Sequence, residues 1–189
     1  MESALIVSGT TNSLDFLTGL LAEASVASIT SFQTCGEARR FLYERDMDLV
    51  IVNSPLRDES GEDFSRYIAS KGVSQVILIV KNEYFDSIAA ACEADGVLTI
   101  AKPINKTVFW SALMLAKSAQ NRIKKMQSEN AALKQKIEDI RIATRAKLIL
   151  ISYMNMSEKE AHRYIEKQAM DLRTSRRSVA EGIIKTYEY

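Results

Sequence analysis

The sequence has few of the residues that build disulfide frameworks, metal centres or catalytic sites. It contains only two cysteines and one histidine in 189 residues. Cys35 and Cys92 form no CxxC pair and have no histidine close by, so we predict two reduced, packed thiols and no disulfide or metal. His162 has no Ser, Cys or Asp arrangement around it that indicates a triad, and there is no glycine-rich phosphate loop. We therefore expect a protein that is not an enzyme and needs no cofactor.

Long apolar runs are absent as well. The longest, residues 76–80 and 148–151, are far shorter than the roughly 20 residues that a membrane-spanning helix needs. The first residues, Met1-Glu2-Ser3, have neither the positive charge nor the apolar segment of a secretory signal. We expect a cytoplasmic protein that makes no membrane contact.

Neither sign of charge dominates the chain, whose formal net charge is +1, but its two parts differ. Residues 1–118 contain 10 Lys or Arg and 15 Asp or Glu, whereas residues 119–189 contain 15 and 9. A basic C-terminal part is typical of proteins that bind a polyanion, although a solvated helix face of mixed charge has a similar composition.

Residues 1–105 alternate short apolar segments with helical patterns. The strand candidates are 4–8, 26–30, 48–53, 75–80 and 97–101, and the helical stretches lie near 13–24, 36–46, 61–71 and 84–94. The first, third and fourth strands are apolar throughout, which is typical of parallel strands covered on both faces. The alternation predicts right-handed crossovers and a doubly wound α/β domain.

This pattern, which ends with Lys102-Pro103, resembles the receiver domain of bacterial two-component response regulators over about residues 3–118. The resemblance implies a flavodoxin-like fold. It also implies a site with an acidic pair that binds Mg²⁺, a phosphoacceptor Asp, a hydroxyl residue and a Lys. These positions are occupied here by Ser8-Gly9, Asn53, Val80 and Lys102, and the aromatic switch position by Thr99.

The substitutions at these positions remove the chemistry of a receiver. An Asn amide cannot act as the carboxylate nucleophile, and Mg²⁺ lacks its charged oxygen ligands without the acidic pair. We therefore predict that residues 1–118 form a pseudo-receiver that is not phosphorylated and serves in protein interaction or dimerisation. Lys102 is then expected to bond to Asn53 or to a loop carbonyl.

An acidic run follows the third strand, at Asp58, Glu59, Glu62 and Asp63. These residues are predicted in a loop and in the first turn of a helix, where carboxylates favour the positive end of the helix dipole. We interpret the run as a helix start and not as a metal site.

The remainder of the chain is predicted to be almost wholly helical, because no Gly or Pro occurs between Ile104 and Gly182. Between about 119 and 145, residues recur at heptad positions a and d, namely Ile123, Met126, Asn130, Leu133, Ile137 and Ile140. A single Asn at an a position favours a parallel dimer in one register. We predict a coiled-coil dimerisation helix over 119–145; the alternative is an amphipathic helix that packs on its own domain.

The last part of the chain has clear helix boundaries. Ser157 and Glu160 form a capping-box pattern, and Thr174-Ser175 offers a second N-cap. These signals predict a long helix that ends near Tyr153, a helix at about 158–171 and another at about 176–187. The apolar residues predicted to form a shared small core are Leu148, Ile151, Ala161, Tyr164, Ile165, Ala169, Met170, Val179, Ile183 and Ile184.

The spacing of several short motifs across these helices resembles an ANTAR domain. The motifs are Ala146-Lys147, Ser157-Glu158 with Ala161, Ala169-Met170, and Arg176-Arg177 with Val179-Ala180. One departure is Leu148, which stands where the family often has a glycine. The resemblance covers about residues 140–187 and implies a three-helix RNA-binding domain over 146–189, C-terminal to a receiver and a coiled coil.

What the resemblance implies is antitermination, in which a homodimer binds paired stem-loops in nascent leader RNA and prevents a terminator hairpin from forming. The candidate RNA contacts are Arg145, Lys147, Arg173, Arg176, Arg177 and Lys185. Tyr153, Tyr187 and Tyr189 are candidates for stacking on bases, and His162 is expected at the surface. Control by a sensor protein is expected in place of phosphorylation. Two alternatives stay open: a dimeric protein-interaction scaffold without nucleic-acid binding, and a regulator that binds duplex DNA.

Overall fold

The computed structural model describes residues 1–187. The first elements are β1 (Ser3–Ser8), α1 (Thr11–Glu23), β2 (Ser28–Phe32), α2 (Cys35–Glu44), β3 (Leu49–Asn53), α3 (Glu62–Ser70), β4 (Gln75–Lys81), a 3₁₀ turn (Asn82–Tyr84), α4 (Phe85–Glu93) and β5 (Leu98–Lys102). They are followed by α5 (Lys106–Met154), α6 (Glu158–Asp171) and α7 (Arg176–Tyr187). Two compact units result: the sheet unit, Met1–Lys125, and the helical unit, from Met126 onward.

The sheet unit is built on a parallel sheet with strand order β2-β1-β3-β4-β5. β3 and most of β1 and β4 are buried, as their continuous apolar character predicts. One face packs against α2, α3 and α4, and the other against α1 and the start of α5. The predicted doubly wound fold is confirmed, with Asn53 at the end of β3 opposite Ser8 at the end of β1.

The second strand begins later than predicted. Val26 belongs to the turn that closes α1, where its amide donates to the Leu21 carbonyl at 3.3 Å, and β2 starts only at Ser28. β2 lies at the edge of the sheet and is half exposed, so it lacks the continuous apolar pattern that marked the central strands.

The helical unit has the helix boundaries that the capping signals predict. The Ser157 hydroxyl accepts from the Glu160 amide, and the Glu160 carboxylate accepts from the Ser157 amide, which completes the capping box at the start of α6. The Ser175 hydroxyl accepts from the Ser178 amide at 3.1 Å and caps α7.

The core of this unit agrees in large part with the prediction, since Ile151, Tyr164, Ile183 and Ile184 are partly buried against its fully buried members. Its buried residues are Ala146, Leu150, Ala161, Ile165, Ala169, Val179 and Ala180. The prediction was wrong for Leu148 and Met170, which are 58% and 77% exposed. Leu148 is two residues from both Ala146 and Leu150, so helical periodicity turns it to the opposite side of α5. Met170 directly follows the buried Ala169, and helical periodicity turns it away from the buried face of α6.

The residues of the heptad pattern lie along α5, and most of them are exposed within one chain. Met126, Leu133, Ile137 and Ile140 are between 52% and 65% exposed, and Asn130 is also exposed. Ile123 is half-buried. Coiled-coil pairing of this stripe stays a prediction. No helix within residues 1–187 is both long and apolar enough to cross a membrane.

Candidate functional sites

The first candidate site lies at the carboxyl ends of the strands, where Asn53 and Ser8 meet. Asn53 is buried, with 7% of its surface exposed, and its Nδ2 donates to the Ser8 Oγ at 2.9 Å. The Asn53 Oδ1 atom is also buried and has no hydrogen-bond partner in the described part of the chain. The amide is therefore held by a neutral hydroxyl at the position where the resemblance implies a carboxylate beside a metal.

Lys102 ends β5 at the same edge of the sheet. Its ammonium group donates to the Ser54 carbonyl, so of the two partners predicted for it the loop carbonyl is correct and Asn53 is not. Burial of the ammonium group and the nearby Lys81 lower the pKa of Lys102. Within residues 1–187 no carboxylate forms an ion pair with Lys102, so its charge is offset only by a carbonyl dipole.

The acidic run after β3 lies in a loop and in the first turn of α3, as predicted, and its loop carboxylates also contact a second helix, α2. The Asp58 carboxylate accepts from the amides of Cys35 at 3.1 Å and Gly36 at 3.0 Å, at the start of α2. Burial raises the pKa of Asp58, but these amide hydrogen bonds outweigh it and leave the pKa below its ordinary value. Glu59 pairs with Arg39 of α2 at 2.9 Å. Only Glu62 and Asp63 lie in the first turn of α3.

Neither cysteine takes part in a site. Both are free and buried, as predicted, and burial raises the pKa of each thiol. Among the residues that the structure describes, no group of three or more His, Cys, Asp or Glu side chains is arranged to hold a metal ion.

The second candidate site is a groove of about 510 Å³ in the helical unit. It lies between α5, α6 and the start of α7, and we call it the α5–α7 groove. Its lining residues are Asp139, Ile140, Ala143, Thr144, Lys147, His162, Ile165, Glu166, Ser175, Arg176 and Arg177. Isoleucine and alanine side chains thus share the groove with both cationic and anionic groups.

The predicted RNA-contact residues are only partly brought together by this groove. Lys147, Arg176 and Arg177 line it. Arg145 on α5, Arg173 between α6 and α7, and Lys185 on α7 are exposed but do not line it. Arg173 has a positive φ of 50°, in the left-handed region, at the turn that follows α6.

Each cation of the groove is paired with a carboxylate of the same unit. The Lys147 Nζ lies 2.7 Å from Glu158, and the Arg176 guanidinium lies 3.1 Å from Glu166. Arg177 contacts both Asp139 and Glu181, at 2.9 and 2.7 Å.

The pair of Arg177 and Asp139 favours the charged form of both partners. Hydrogen bonds to Asp139 and Glu181 raise the pKa of Arg177. Hydrogen bonds from Gln135 and then Arg177 lower the pKa of Asp139. A polyanion that binds in the α5–α7 groove must therefore compete with carboxylates that are already in place.

The carboxylates of the groove and the exposed Met170 were missed in the sequence. Met170 lines a shallow depression of about 450 Å³ that shares Glu166, Ser175 and Arg176 with the groove. Asp139 and Arg177 are 38 residues apart, so no local spacing rule links them. The sequence did contain a signal that Met170 is exposed. Met170 directly follows Ala169, so helical periodicity turns it away from the buried face of α6 that Ala161 and Ile165 define.

Two of the tyrosine candidates, Tyr153 and Tyr187, do not line the groove, and base stacking by them stays a prediction. The rings of Tyr153 and Tyr187 contact each other, with centroids 5.4 Å apart. Tyr189 lies outside the described residues. His162, predicted at the surface, is exposed and lies 3.5 Å from Glu166.

Comparison with known proteins gives a match in each part of the chain. The ANTAR domain family model matches residues 131–184. The transcriptional regulatory protein PdtaR of Mycobacterium tuberculosis is 30% identical over 145 residues, which cover 77% of this chain and 70% of PdtaR.

Two solved structures resemble the part of the chain that contains the sheet. The signal receiver domain of an HD domain-containing protein from Pseudomonas fluorescens aligns with a TM-score of 0.57 and 20% identity, over 66% of this chain and 92% of that one. A response regulator receiver domain protein from Clostridium thermocellum aligns with a TM-score of 0.56 and 22% identity, over 67% of this chain and 99% of that one. These similarities establish the receiver fold.

Proposed function

The chain belongs to the ANTAR-domain response regulators, transcription regulators of the antiterminator family, and we propose that it works as a dimer that binds stem-loop RNA. The observation that carries this proposal is the α5–α7 groove, in which arginine and lysine side chains border an apolar floor. RNA loops present splayed bases, and a groove of this composition offers an apolar surface and hydrogen-bonding side chains to such a base.

The division of charge supports a division of roles. The groove cations are paired with carboxylates, so the groove itself suits an uncharged, planar group with hydrogen-bonding edges, such as an unpaired base. The exposed side chains of Arg173 and Lys185 lie outside the groove, and we assign phosphate contacts to them.

Dimerisation is proposed to occur through the exposed stripe on α5. Leu133, Ile137 and Ile140 are more than half exposed in a single chain, and burial of such a side chain contributes about 1.5–3 kcal/mol. Asn130 occupies an a position of the same heptad frame, where two facing amides pair with each other. A second copy in parallel and in register satisfies both requirements.

Control is proposed to be independent of phosphorylation. Asn53 is a neutral amide bonded to Ser8, and Gly9 follows it where the family has an acidic residue. An aspartyl phosphate needs a carboxylate nucleophile and a bound Mg²⁺. Ser8, Gly9 and Asn53 supply no carboxylate, either as the nucleophile or as a ligand for Mg²⁺. A sensor protein that sequesters the dimer is the proposed source of the signal.

The test is fluorescence anisotropy with a labelled twin stem-loop from a terminator-bearing leader, titrated at several salt concentrations against a duplex-DNA competitor. The variant is Arg176→Ala/Arg177→Ala. The matched control is Arg163→Ala/Lys167→Ala, which removes the same charge from exposed positions of α6 that do not line the groove. We expect the groove variant to bind at least about tenfold more weakly than the control.

A dimer-breaking variant completes the experiment. Ile137→Asp places a charge in the heptad stripe, whereas Ala131→Asp places it at an exposed position off the stripe. We expect Ile137→Asp alone to be monomeric by sedimentation velocity and to lose RNA binding. Absence of RNA binding by dimeric wild-type protein would favour the interaction scaffold, and equal competition by duplex DNA would favour the DNA-binding alternative.

A further inference from the structure

The sheet unit contains a cleft that the proposed RNA interaction does not use. It measures about 350 Å³ and lies at the carboxyl ends of the strands. Its lining residues are Asn12, Ser13, Phe16, Asn53, Lys102, Pro103 and Ile104. β1 and β3 flank the point at which the strand order reverses, and open α/β sheets bind ligands outside this point.

One cation, Lys102, lines the cleft, and no carboxylate forms an ion pair with it in residues 1–187. The Lys102 ammonium group donates to the Ser54 carbonyl. The cleft lining therefore contains a positive charge and no carboxylate, which is the reverse of a site built from an acidic pair and an aspartate.

The first turn of α1 adds to this field. Asn12 and Ser13 belong to that turn and line the cleft. The N-cap residue Thr10 makes no side-chain capping hydrogen bond, and the first turn contains no acidic residue. The amides at the start of this 13-residue helix are thus available to an anion, and the helix dipole favours one there.

Asn53 is an independent sign that the cleft takes a ligand. It lines the cleft and is only 7% exposed, yet its Oδ1 atom has no partner within the described residues. A buried acceptor without a donor is costly, and a ligand that carries an O–H group satisfies it. Hydrogen phosphate carries such a group as well as negative oxygens, whereas sulfate and acetate near neutral pH carry only acceptors.

We propose that this cleft binds inorganic phosphate without covalent attachment. Lys102 and the first-turn amides of α1 hold the negative oxygens, and Asn53 accepts from the P–OH group. The bound phosphate gives the sheet unit a chemical input that needs no phosphoacceptor. This inference rests on the proposal that Asn53 is not phosphorylated, and it is independent of RNA binding.

The test is isothermal titration calorimetry of the full chain with inorganic phosphate, sulfate and acetate at one ionic strength. Lys102→Met is the test variant. Lys71→Met is the control, because Lys71 lies between α3 and β4 at the amino ends of the strands. Phosphate is expected to bind saturably and at least about tenfold more tightly than sulfate. Lys102→Met is expected to weaken binding about tenfold or more, and Lys71→Met to leave it unchanged.

A second measurement does not depend on the folding of any variant. The thermal midpoint of the wild-type chain is expected to rise with phosphate and not with sulfate at equal ionic strength, because ligand binding stabilises the folded state. Glycerol phosphate is expected to bind more weakly than inorganic phosphate, because the dianion of the ester has no P–OH group. Tighter binding of the ester would overturn the contact between the P–OH group and Asn53.

The proposal is overturned if phosphate gives no saturable heat and no thermal shift, or if phosphate and sulfate bind equally and Lys102→Met binds like the wild type. Its failure is distinguishable from that of the proposed function, because RNA anisotropy is measured on the same preparation. Incorporation of a covalent phosphoryl group from acetyl phosphate, detected by mass spectrometry, would overturn both the pseudo-receiver proposal and the premise of this one.

Discussion

The sheet unit and the helical unit both place cationic side chains at a concave surface, but they balance the charge in different ways. In the sheet unit, Lys102 and Arg57 donate to backbone carbonyls. In the helical unit, Arg176 and Arg177 are paired with carboxylates of neighbouring helices. A carbonyl dipole offsets only part of a positive charge, whereas a carboxylate offsets all of it.

This difference indicates what each surface is prepared to bind. Within residues 1–187 no carboxylate forms an ion pair with Lys102, so we expect the cleft of the sheet unit to attract a small anion. The α5–α7 groove holds internal carboxylates that a nucleic acid must displace, so phosphates gain little there and recognition must come from other contacts. Exposed ion pairs contribute little to stability, and the groove can therefore exchange them for contacts to RNA at low cost.

The cores of the two units differ as well. The sheet unit buries large side chains such as Phe64 and Phe109 on the two faces of its sheet. The buried core of the helical unit contains four alanines, with Leu150, Ile165 and Val179 as its larger members. A small core depends on each of its large side chains more strongly, because few others share the apolar burial.

The largest expected effect tests this contrast in the cores. Leu150→Ala is expected to lower the free energy of unfolding of the helical unit by about 3 kcal/mol, because Leu150 is 1% exposed and its removal leaves a cavity. Leu148→Ala is the matched control, with an expected change within about 0.5 kcal/mol because Leu148 is on the surface. Urea unfolding followed by far-UV circular dichroism measures both.

Trp110 reports on the other unit in the same experiment. It is the only tryptophan and packs against the α1 and α5 face of the sheet. Its fluorescence transition is expected to change much less than the helical signal in Leu150→Ala. An equal loss in the free energy of unfolding for Leu150→Ala and Leu148→Ala would contradict the structure of this core.

A smaller effect is expected when a carboxylate of the groove is removed. Asp139→Asn takes away an acceptor of Arg177, and we expect the affinity for stem-loop RNA to rise about threefold. Glu138→Gln removes the same charge from the adjacent position of α5, which does not line the groove, and corrects for the general change in charge. If the affinity for stem-loop RNA rises equally in both variants, competition between Asp139 and the RNA for Arg177 is excluded.

The smallest effect is a dependence on pH in the sheet unit. The Asp48 carboxylate accepts from the Glu2 amide at 2.6 Å and lies 2.8 Å from the Lys124 Nζ. Burial raises the pKa of Asp48, but the hydrogen bonds from Glu2 and Lys124 outweigh it, so the pKa lies below its ordinary value of about 4.

The lowered pKa sets the direction of the effect. The stabilisation that the Asp48 carboxylate contributes is fully present above the ordinary pKa. It is lost as the pH falls through the lowered pKa of the folded state. Unfolding measured by Trp110 fluorescence is expected to become easier on acidification below about pH 4, and Asp48→Asn is expected to reduce this dependence. Asp46→Asn, an exposed neighbour, is the control. An unchanged acid dependence in Asp48→Asn would show that other carboxylates determine it.

Much of the architecture was predictable, because it follows from local patterns. The continuous apolar strands, the absence of Gly and Pro over most of α5 to α7, and the capping box at Ser157 and Glu160 act within a few residues of chain. The errors lie where the local pattern is weak or ambiguous. β2 is an edge strand with little apolar character, and Leu148 and Met170 belong to apolar segments whose exact phase decides which residue is buried.

The candidate sites were predictable only in part. The cationic residues are visible in the composition, but their partners are not, because Arg177 and Asp139 are 38 residues apart and Lys102 and Ser54 are 48 apart. The partners of Asp58 were not predictable either. Its carboxylate accepts from amides at the start of α2, which precedes it in the chain, and not from the helix that follows it. Such pairs exist only after distant elements have packed.

The sequence by itself determined which segments form strands and helices, where α6 begins, and that the acceptor position is an amide and not a carboxylate. These properties depend on side-chain chemistry and on contacts between near neighbours. Only the tertiary structure decided that Asn53 keeps an unpartnered oxygen beside Lys102, and that the arginines of α7 face carboxylates of α5 and α6. The physical reason is that electrostatic balance at a site is a sum over all neighbouring groups, and folding brings most of them from remote parts of the chain.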